Sequence, residues 1–506
     1  MGSQPSKTAA VDPSSEKELL ERLRRFQVNE NELANVENGG GDEKNGMKLL
    51  REPEGLPVHL TQSWQSCFLS DPKNKLALTA LSTADPRTVL TSTMTKLSDP
   101  QIFNVKIPFE GGPITNQRSS GRCWLFASTN TFRVALMKRY NLEAFELSQS
   151  YLFFWDKLEK SNYFLEQIID TAAEDLDGRL VQALLGDIVS DGGQWDMVYN
   201  LVQKYGLVPQ ALYPDSWNAM NSGVLNSIVK TKLREYALIL RKEIRSGSAT
   251  AQTLSSTKEK MVREILSILT LTLGPPPNPR EEFTWTYLDK SGKAHELTTT
   301  PAAFAKDIYS SDFRITSAVI EGMVSLVHDP RHEPLTLMTV DRLGNIVGGR
   351  GVTYVNVDMA TLKSACVSML KAGLPVFFGS DVGKFSNSAS GIMDLDLIDY
   401  ELGFGVSTLG MDKASRLRTG ESAMTHAMVL TAVHLDAKGK SVRWRVQNSW
   451  GESAGDKGWF VMSDAWMDEF VYQAVIDPRF LSKEVKGVIG TEPIVLPLWD
   501  PMGSLA

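Results

Sequence analysis

The chain has 506 residues, a formal net charge of −7, 42% hydrophobic residues and 22% charged residues. Such a length exceeds one simple core and predicts two or three domains, or one domain with large insertions, while the mild acidity excludes wholesale nucleic-acid binding and leaves room for a local basic patch. Cys67, Cys123 and Cys366 are too few and too dispersed for a disulfide framework, and no apolar run is long enough to span a bilayer.

In chain order, residues 1–15 read as disordered, without a secretory apolar region. "MGSQPS" fits the loose myristoylation pattern through Gly2 and Ser6. Glu16 to Phe26 read as a short amphipathic helix whose acids Glu16, Glu18 and Glu21 are unlike a transit peptide. A polar, glycine-rich surface excursion follows. "VHLTQSWQSCFLSDPKNKLALTALS" predicts two helices with Cys67 packed inside. "DPQIFNVKIPFEGGPITNQ" is extended and leads into "NQRSSGRCWLFASTN", where loop formers give way to Trp124, Phe126, Ala127, Phe132, Ala135 and Leu136 at helical spacing. "LSQSYLFFWDKLEKSNYFLEQIIDTA" predicts a periodic helix with an aromatic core face. "SDGGQWDMVYNLVQKYGLVPQALYP" predicts a glycine turn, a helix from about Gln194 to Lys204 and a strand-like exit. Residues 219–273 read as helix interrupted by the polar run "SGSATAQTLSSTKEK", and a hairpin turning at Lys290–Gly292 follows the break "GPPPNP". The second half is strand-rich: "LPVFFGSDV", "HAMVLTAVHLD", "VRWRVQNSW" and "GWFVMSDAWM" are apolar strands separated by turns. No internal repeat is present.

Cys123 falls at the N-terminus of its helix, where unpaired N–H groups and the helix dipole favour a thiolate. Cysteines so placed can have a pKa of roughly 3.5–7.5 against about 8.5 when free. A nucleophile there needs a base, an orienting group and an oxyanion donor. Of six histidines, His328 and His332 are four apart, but Pro330 between them spoils a helical metal pair. No HExxH motif or cysteine cluster is present, so no metal or other cofactor is expected. His59 and His295 lie in polar, loop-like context. His426 opens a strand with His434 near its far end, and Asn448 ends the next strand. Two antiparallel strands joined by "DAKGKS" set His426 opposite the Asn448 end. There an amide oxygen would orient the imidazole and Trp450 would shield the bond. Gln117, six residues before Cys123, offers an amide that would share an oxyanion with the Cys123 N–H.

"NQRSSGRCWLFA", "THAMVLTAV" and "VQNSWGESAGDKGWF" resemble, in the same order, the three active-site blocks of papain-like cysteine peptidases. The resemblance implies Cys123 as nucleophile, His426 as base, Asn448 as orienting residue and Gln117 as oxyanion donor. It also implies Gly192 and Gly193 of "SDGGQW" as the glycine pair lining the peptide groove, with Trp450 beside them at the site. Ser120 replaces the disulfide cysteine of secreted members, the Cys-to-His separation is about doubled, and signal peptide and propeptide are missing. These departures resemble the intracellular bleomycin hydrolase branch.

That resemblance implies an α+β fold with a papain-like core. A flexible segment at 1–55 would precede a helical half at 56–218 carrying the nucleophile. A helical and hairpin insertion at 219–310, a β-rich half at 311–490 carrying His426 and Asn448, and a C-terminal arm at 491–506 would follow. Proline-stiffened by Pro493, Pro497 and Pro501, the arm would enter the cleft and set the carboxylate of Ala506 against a substrate ammonium. The implied activity is a thiol aminopeptidase acting on peptides, and on the bleomycin amide and homocysteine thiolactone. The implied assembly is a cytoplasmic homohexamer, with an additional mitochondrial pool. Two readings compete. One is a single-stranded nucleic-acid binder using Lys230, Lys232, Arg234, Arg241, Lys242 and Arg245, against which stands an ordinary solvated helix face. The other is a catalytically dead scaffold, against which stands the presence of all four active-site residues.

Overall fold

The structure is a computed structural model that describes residues 55–306 and 317–505. Gly2, the expected helix Glu16–Phe26, the glycine-rich excursion after it and Ala506 lie outside the described residues. The chain separates into a unit ending at Leu76 and a unit from Ala77 to the C-terminus. In the first, the expected helix forms as α1 (Val58–Phe68), and the second expected helix, α2 (Pro72–Leu81), begins before the boundary. No residue of α1 is buried, and Cys67 is exposed. The expectation that Cys67 is packed inside is corrected: α1 leaves Val58, Trp64 and Phe68 exposed along with it.

In the second unit, α3 (Cys123–Arg139) is the central helix, with 15 residues buried on every face. Its polar residues are tolerated inside because their hydroxyls bond back to carbonyls one turn earlier: Ser128 to Trp124 at 2.7 Å, Thr129 to Leu125 at 2.7 Å and Thr131 to Ala127 at 3.0 Å. Helix α4 (Gln149–Asp170) starts at Ser148, whose Oγ accepts the Tyr151 N–H. It buries Tyr151, Phe153, Phe154 and Phe164, the expected aromatic stripe. Helices α5 (Arg179–Gly186) and α6 (Trp195–Tyr205) follow. The strand-like exit expected after α6 is instead a sharp turn at Gly206 (φ 74°) and a 3₁₀ turn at Gln210–Leu212. A side chain at Gly206 would meet the Pro301 backbone at 2.2 Å. The long polar interruption is also shorter than expected. Helix α7 (Gly223–Arg245) is followed by α8 (Ala251–Leu273), because Thr250 and Thr253 form a reciprocal capping box inside the polar run. The hairpin β1 (Phe283–Leu288) and β2 (Ala294–Thr299) turns through Gly292 (φ 78°).

The remaining strands form a 12-stranded sheet among the described residues. Its main strands are β3 (Val324–Val327), β4 (Thr336–Val340), β5 (Thr353–Asn356), β6 (Val376–Ser380), β7 (His426–Leu435), β8 (Ser441–Gln447), β9 (Trp459–Ser463), β10 (Val471–Ile476) and β11 (Ile494–Leu496). Spatial order runs β11-β4-β5-β3-β10-β6-β7-β8-β9 and ends in two short strands, while the twelfth, Val105–Lys106, pairs with β7 off this path. The expected strand "GWFVMSDAWM" stops at Ser463, whose hydroxyl caps a helix at Asp464–Phe470. Strand β7 is buried along nearly its whole length between β6 and β8, its start packed beside α3. Helices and sheet mix in the α+β arrangement expected from the sequence.

Candidate active site

The turn into α3 is fixed by Arg122. Its guanidinium is fully buried, pairs with both Asp215 oxygens at 2.8 and 3.1 Å, donates to Ser120 Oγ at 2.9 Å, and lies over the rings of Phe126 and Phe153. Cys123 is the next residue and the first of the helix, 2% exposed. Backbone N–H groups of Ala427, Trp124 and Cys123 itself favour its thiolate, and Ala427 follows His426 at the start of β7.

His426 is buried, and its Nε2 lies 2.8 Å from Asn448 Oδ1. An amide oxygen only accepts, so Nε2 carries the proton and Nδ1 is left as the basic nitrogen. The β7–β8 ladder explains the meeting. Val429 pairs with Gln447, so both functional residues lie just beyond the same end of the ladder. The Trp450 ring centroid is 4.9 Å from that of His426, tilted by 31°. Asn448 Oδ1 also accepts the Ser449 N–H at 2.8 Å. Ser449 Oγ donates to Gln117 Oε1 at 2.7 Å, and Gln117 N–H donates to the Ser449 carbonyl at 2.8 Å. Gln117 Nε2 gives one hydrogen to Ser120 O at 2.6 Å, leaving the second unassigned to any protein group. Ser449 thus links the orienting amide to the oxyanion candidate.

Taken singly, each charge is disfavoured here. Burial pushes the Cys123 thiol up to about 11, despite the three N–H groups that favour the thiolate. Burial pulls His426 down to about 4, against the support of Asn448. The expectation that the helix N-terminus alone depresses the thiol is therefore corrected, because desolvation outweighs it. If a proton passed from sulfur to imidazole, both charges would form together, and their mutual attraction in a low dielectric would offset what either would cost alone.

The two glycines sit beside this pair. A Cβ on Gly193 would lie 2.5 Å from the Trp124 ring, so glycine is required for this contact with α3. The Gly192 carbonyl accepts from Lys160 Nζ at 2.6 Å. The C-terminal arm reaches the same place. Strand β11 pairs in parallel with β4, Asp500 is bound by Arg331 at 2.7 Å, and the Met502 carbonyl accepts from Tyr354 OH at 3.2 Å. Ser504 then spans the cleft: its carbonyl accepts from Gln194 Nε2 at 2.9 Å, and its hydroxyl donates to the Met424 carbonyl at 2.8 Å. Gln194 follows Gly193, and Met424 is two residues before His426. Leu498, Trp499, Gly503 and Leu505 line a cavity of about 420 Å³ against Lys160, Tyr163 and Arg342.

Other candidates fall elsewhere. His328 and His332 lie at the end of β3, and among the described residues no three His, Cys, Asp or Glu side chains converge to hold a metal ion. His59 is in α1, His295 pairs with Asp289 and His434 is on β7 away from its start. Five of the six basic residues singled out on α7 are engaged by the chain: Lys230 with Asp187, Lys232 with Glu235, and Arg234, Arg241 and Arg245 with the carbonyls of Leu185, Thr171 and Ala172. Arg241 is buried. No described helix is long and apolar enough to cross a membrane. Arg122, Ser449 and Asp215 carry no signal in the sequence reading; the adjacency of Arg122 to Cys123 and of Ser449 to Asn448 is the only clue available there.

The model of the Peptidase C1-like family matches residues 55–503. Cysteine proteinase 1, mitochondrial, of Saccharomyces cerevisiae is 43% identical over 467 residues, covering 90% of this chain and 94% of the yeast protein. Bleomycin hydrolase of Rattus norvegicus is 45% identical over 444 residues, covering 86% and 96%, and that of Homo sapiens is 44% identical over the same length. The crystal structure of PepW from Lactobacillus rhamnosis superposes with a TM-score of 0.84 at 39% identity, covering 89% of this chain and 99% of that one. Family match, relatives and fold agree: the chain belongs to the Peptidase C1-like family and is a bleomycin hydrolase-like, cysteine-type peptidase.

Proposed function

We propose that this peptidase is an aminopeptidase in which Cys123, His426, Asn448 and Gln117 perform acyl transfer. The Cys123 proton passes to His426 Nδ1 as sulfur attacks the scissile carbonyl carbon, and the carbonyl π pair becomes an oxyanion. The free Gln117 N–H and the Cys123 N–H stabilise that oxyanion. Collapse of the adduct breaks the C–N bond, and the amine leaves with the proton from His426. Water then attacks the thioester, gives its proton to His426, and the acid departs as the thiol re-forms. The same chemistry accommodates the bleomycin amide and a homocysteine thiolactone.

The observation that carries the aminopeptidase reading is Ser504, held from both walls of the cleft by Gln194 and Met424. In this reading an arm held there would block the groove beyond one substrate residue, and a carboxylate at Ala506, which lies outside the described residues, would meet the free ammonium. Deleting Gly503–Ala506 tests this. Hydrolysis of free-amine peptides should weaken while N-acetylated or internal bonds become cleavable. An unchanged demand for a free amine in the truncated enzyme would refute the gate. A homohexameric, cytoplasmic enzyme belongs to the same proposal, with a mitochondrial pool motivated by the yeast relative being a mitochondrial proteinase by name; sedimentation and fractionation test these.

A further inference from the structure

We propose that Lys157 and Asp191, assisted by Lys160, form a buried ionic clamp that positions Cys123 and the glycine pair; the proposal rests on Cys123 being the nucleophile. Lys157 and Lys160 project from one face of α4 towards the segment 189–193. Lys157 Nζ lies 2.5 Å from Asp191 Oδ1 and donates to the Val189 carbonyl at 2.8 Å. Lys160 Nζ lies 2.7 Å from Asp156 Oδ2 and donates to the carbonyls of Ser190 at 3.0 Å and Gly192 at 2.6 Å. Two ammonium groups therefore dictate the course of the backbone that ends in Gly192 and Gly193.

From Asp191 the contacts run to both sides of the nucleophile. Its backbone carbonyl accepts from Trp124 Nε1 at 2.6 Å, one residue after Cys123. Its carboxylate accepts the Gly121 N–H at 3.2 Å, two residues before Cys123, and is further held by Ser222 and by Asn226 Nδ2 at 2.9 Å. The Lys160 ammonium also lies 5.1 Å from the centroid of the Trp124 ring. There is no slack between these groups. A Cβ on Gly121 would approach Asp191 Cβ to 2.8 Å, as one on Gly193 would approach Trp124.

Stability alone does not call for such a device, because apolar residues of similar volume often replace a buried ion pair without loss. What apolar residues do not supply is directional bonds to three chosen carbonyls. Burial pulls Lys157 down and would raise Asp191, but the Lys157 ammonium holds the Asp191 carboxyl well below the usual carboxylate range. The two groups are paired at 2.5 Å, and the carboxylate end is the one that opposes a thiolate at Cys123.

That asymmetry supplies a test on the full-length protein. Alkylation of Cys123 by iodoacetamide is followed across pH by mass spectrometry of its own peptide, so that exposed Cys67 is not counted, and kcat and KM are measured with an aminoacyl amide. Asp191→Asn should move the alkylation midpoint down, and Lys157→Gln should move it up, each by about one pH unit. Both should lower kcat by about tenfold to a hundredfold with KM little changed, and Lys157→Arg should restore kcat. Midpoints that move in the same direction, or stay fixed, overturn the clamp while leaving the nucleophile intact. If a single variant does not fold, the double variant Asp191→Asn/Lys157→Met, which leaves neither charge unpaired, decides the matter. A parental melting temperature with reduced kcat supports the clamp, and a parental kcat overturns it. Hydrolysis retained by Cys123→Ala would instead overturn the nucleophile assignment and the clamp with it.

Discussion

Gly193→Ala is the smallest change that reaches the nucleophile helix without touching a polar group. The added methyl would sit 2.5 Å from Cδ2 of Trp124 and 2.6 Å from Cε2 and Cε3, about 1 Å inside ordinary contact. The ring has no free side to retreat to, because Trp124 is fully buried. Its Nε1 is also tied to the Asp191 carbonyl at 2.6 Å. Overpacking of this kind costs about 1–3 kcal/mol, and straining the indole hydrogen bond adds about 1 kcal/mol. The total, about 2–4 kcal/mol, should lower the melting temperature by several degrees. Cys123 adjoins Trp124, so kcat should also fall, by about a hundredfold for a displacement near 1 Å. Thermal unfolding and hydrolysis of an aminoacyl amide measure both. Trp124→Phe in the Gly193→Ala background removes part of the obstructing ring and should return some of the lost stability, giving a favourable coupling in a double-mutant cycle. Gly193→Ala with parental melting temperature and parental kcat would refute the steric argument.

Asn448→Ala strips the acceptor from His426 Nε2 and should lower kcat by about 10²–10⁴ with KM little affected; a loss confined to KM would contradict an orienting role. His328 and His426 are both pulled to about 4, chiefly by burial, from a usual 6.5. The unfolded chain therefore binds protons that the folded chain refuses, so their contribution to stability is intact above pH 6.5 and is lost as pH falls towards 4. Denaturant unfolding across that window should show the decline, and His328→Gln should make it shallower. Arg331→Met removes the guanidinium that holds Asp500 and should loosen the arm, raising cleavage of N-acetylated peptides relative to free-amine peptides; an unchanged ratio would show that β11 and Ser504 suffice to hold it.

The elements that carry the site were legible where local pattern and tertiary demand agree. Polar loop formers followed by apolar periodicity place the start of α3 at Cys123. Two apolar runs around a short polar turn predict the β7–β8 ladder that brings His426 to Asn448. Burial depends on partners that local pattern does not contain, and there the reading fails. Cys67 lies in an amphipathic-looking run and is nonetheless exposed. The polar run after Ser246 looks like a loop, yet Thr250 and Thr253 cap a helix within it. The shift of the Cys123 thiol was misjudged for a related reason: the helix terminus is visible in the sequence, whereas the packing that desolvates the sulfur is not. Arg122 finds Asp215 across 93 positions and Lys157 finds Asp191 across 34, separations at which only the fold decides who meets whom.

The pairing of β11 with β4 has a consequence for the protein's solubility. Three residues of arm close one border of a 12-stranded sheet, a border at which β4 would otherwise present unpaired N–H and C=O groups to any other chain. The covering strand is itself a poor template for further growth. It is only three residues long, and Pro493 and Pro497, which lack a backbone N–H, bracket it. A proteolytic cut just before Ile494 that freed the arm would bare this sheet border, and the product would be prone to strand-to-strand aggregation.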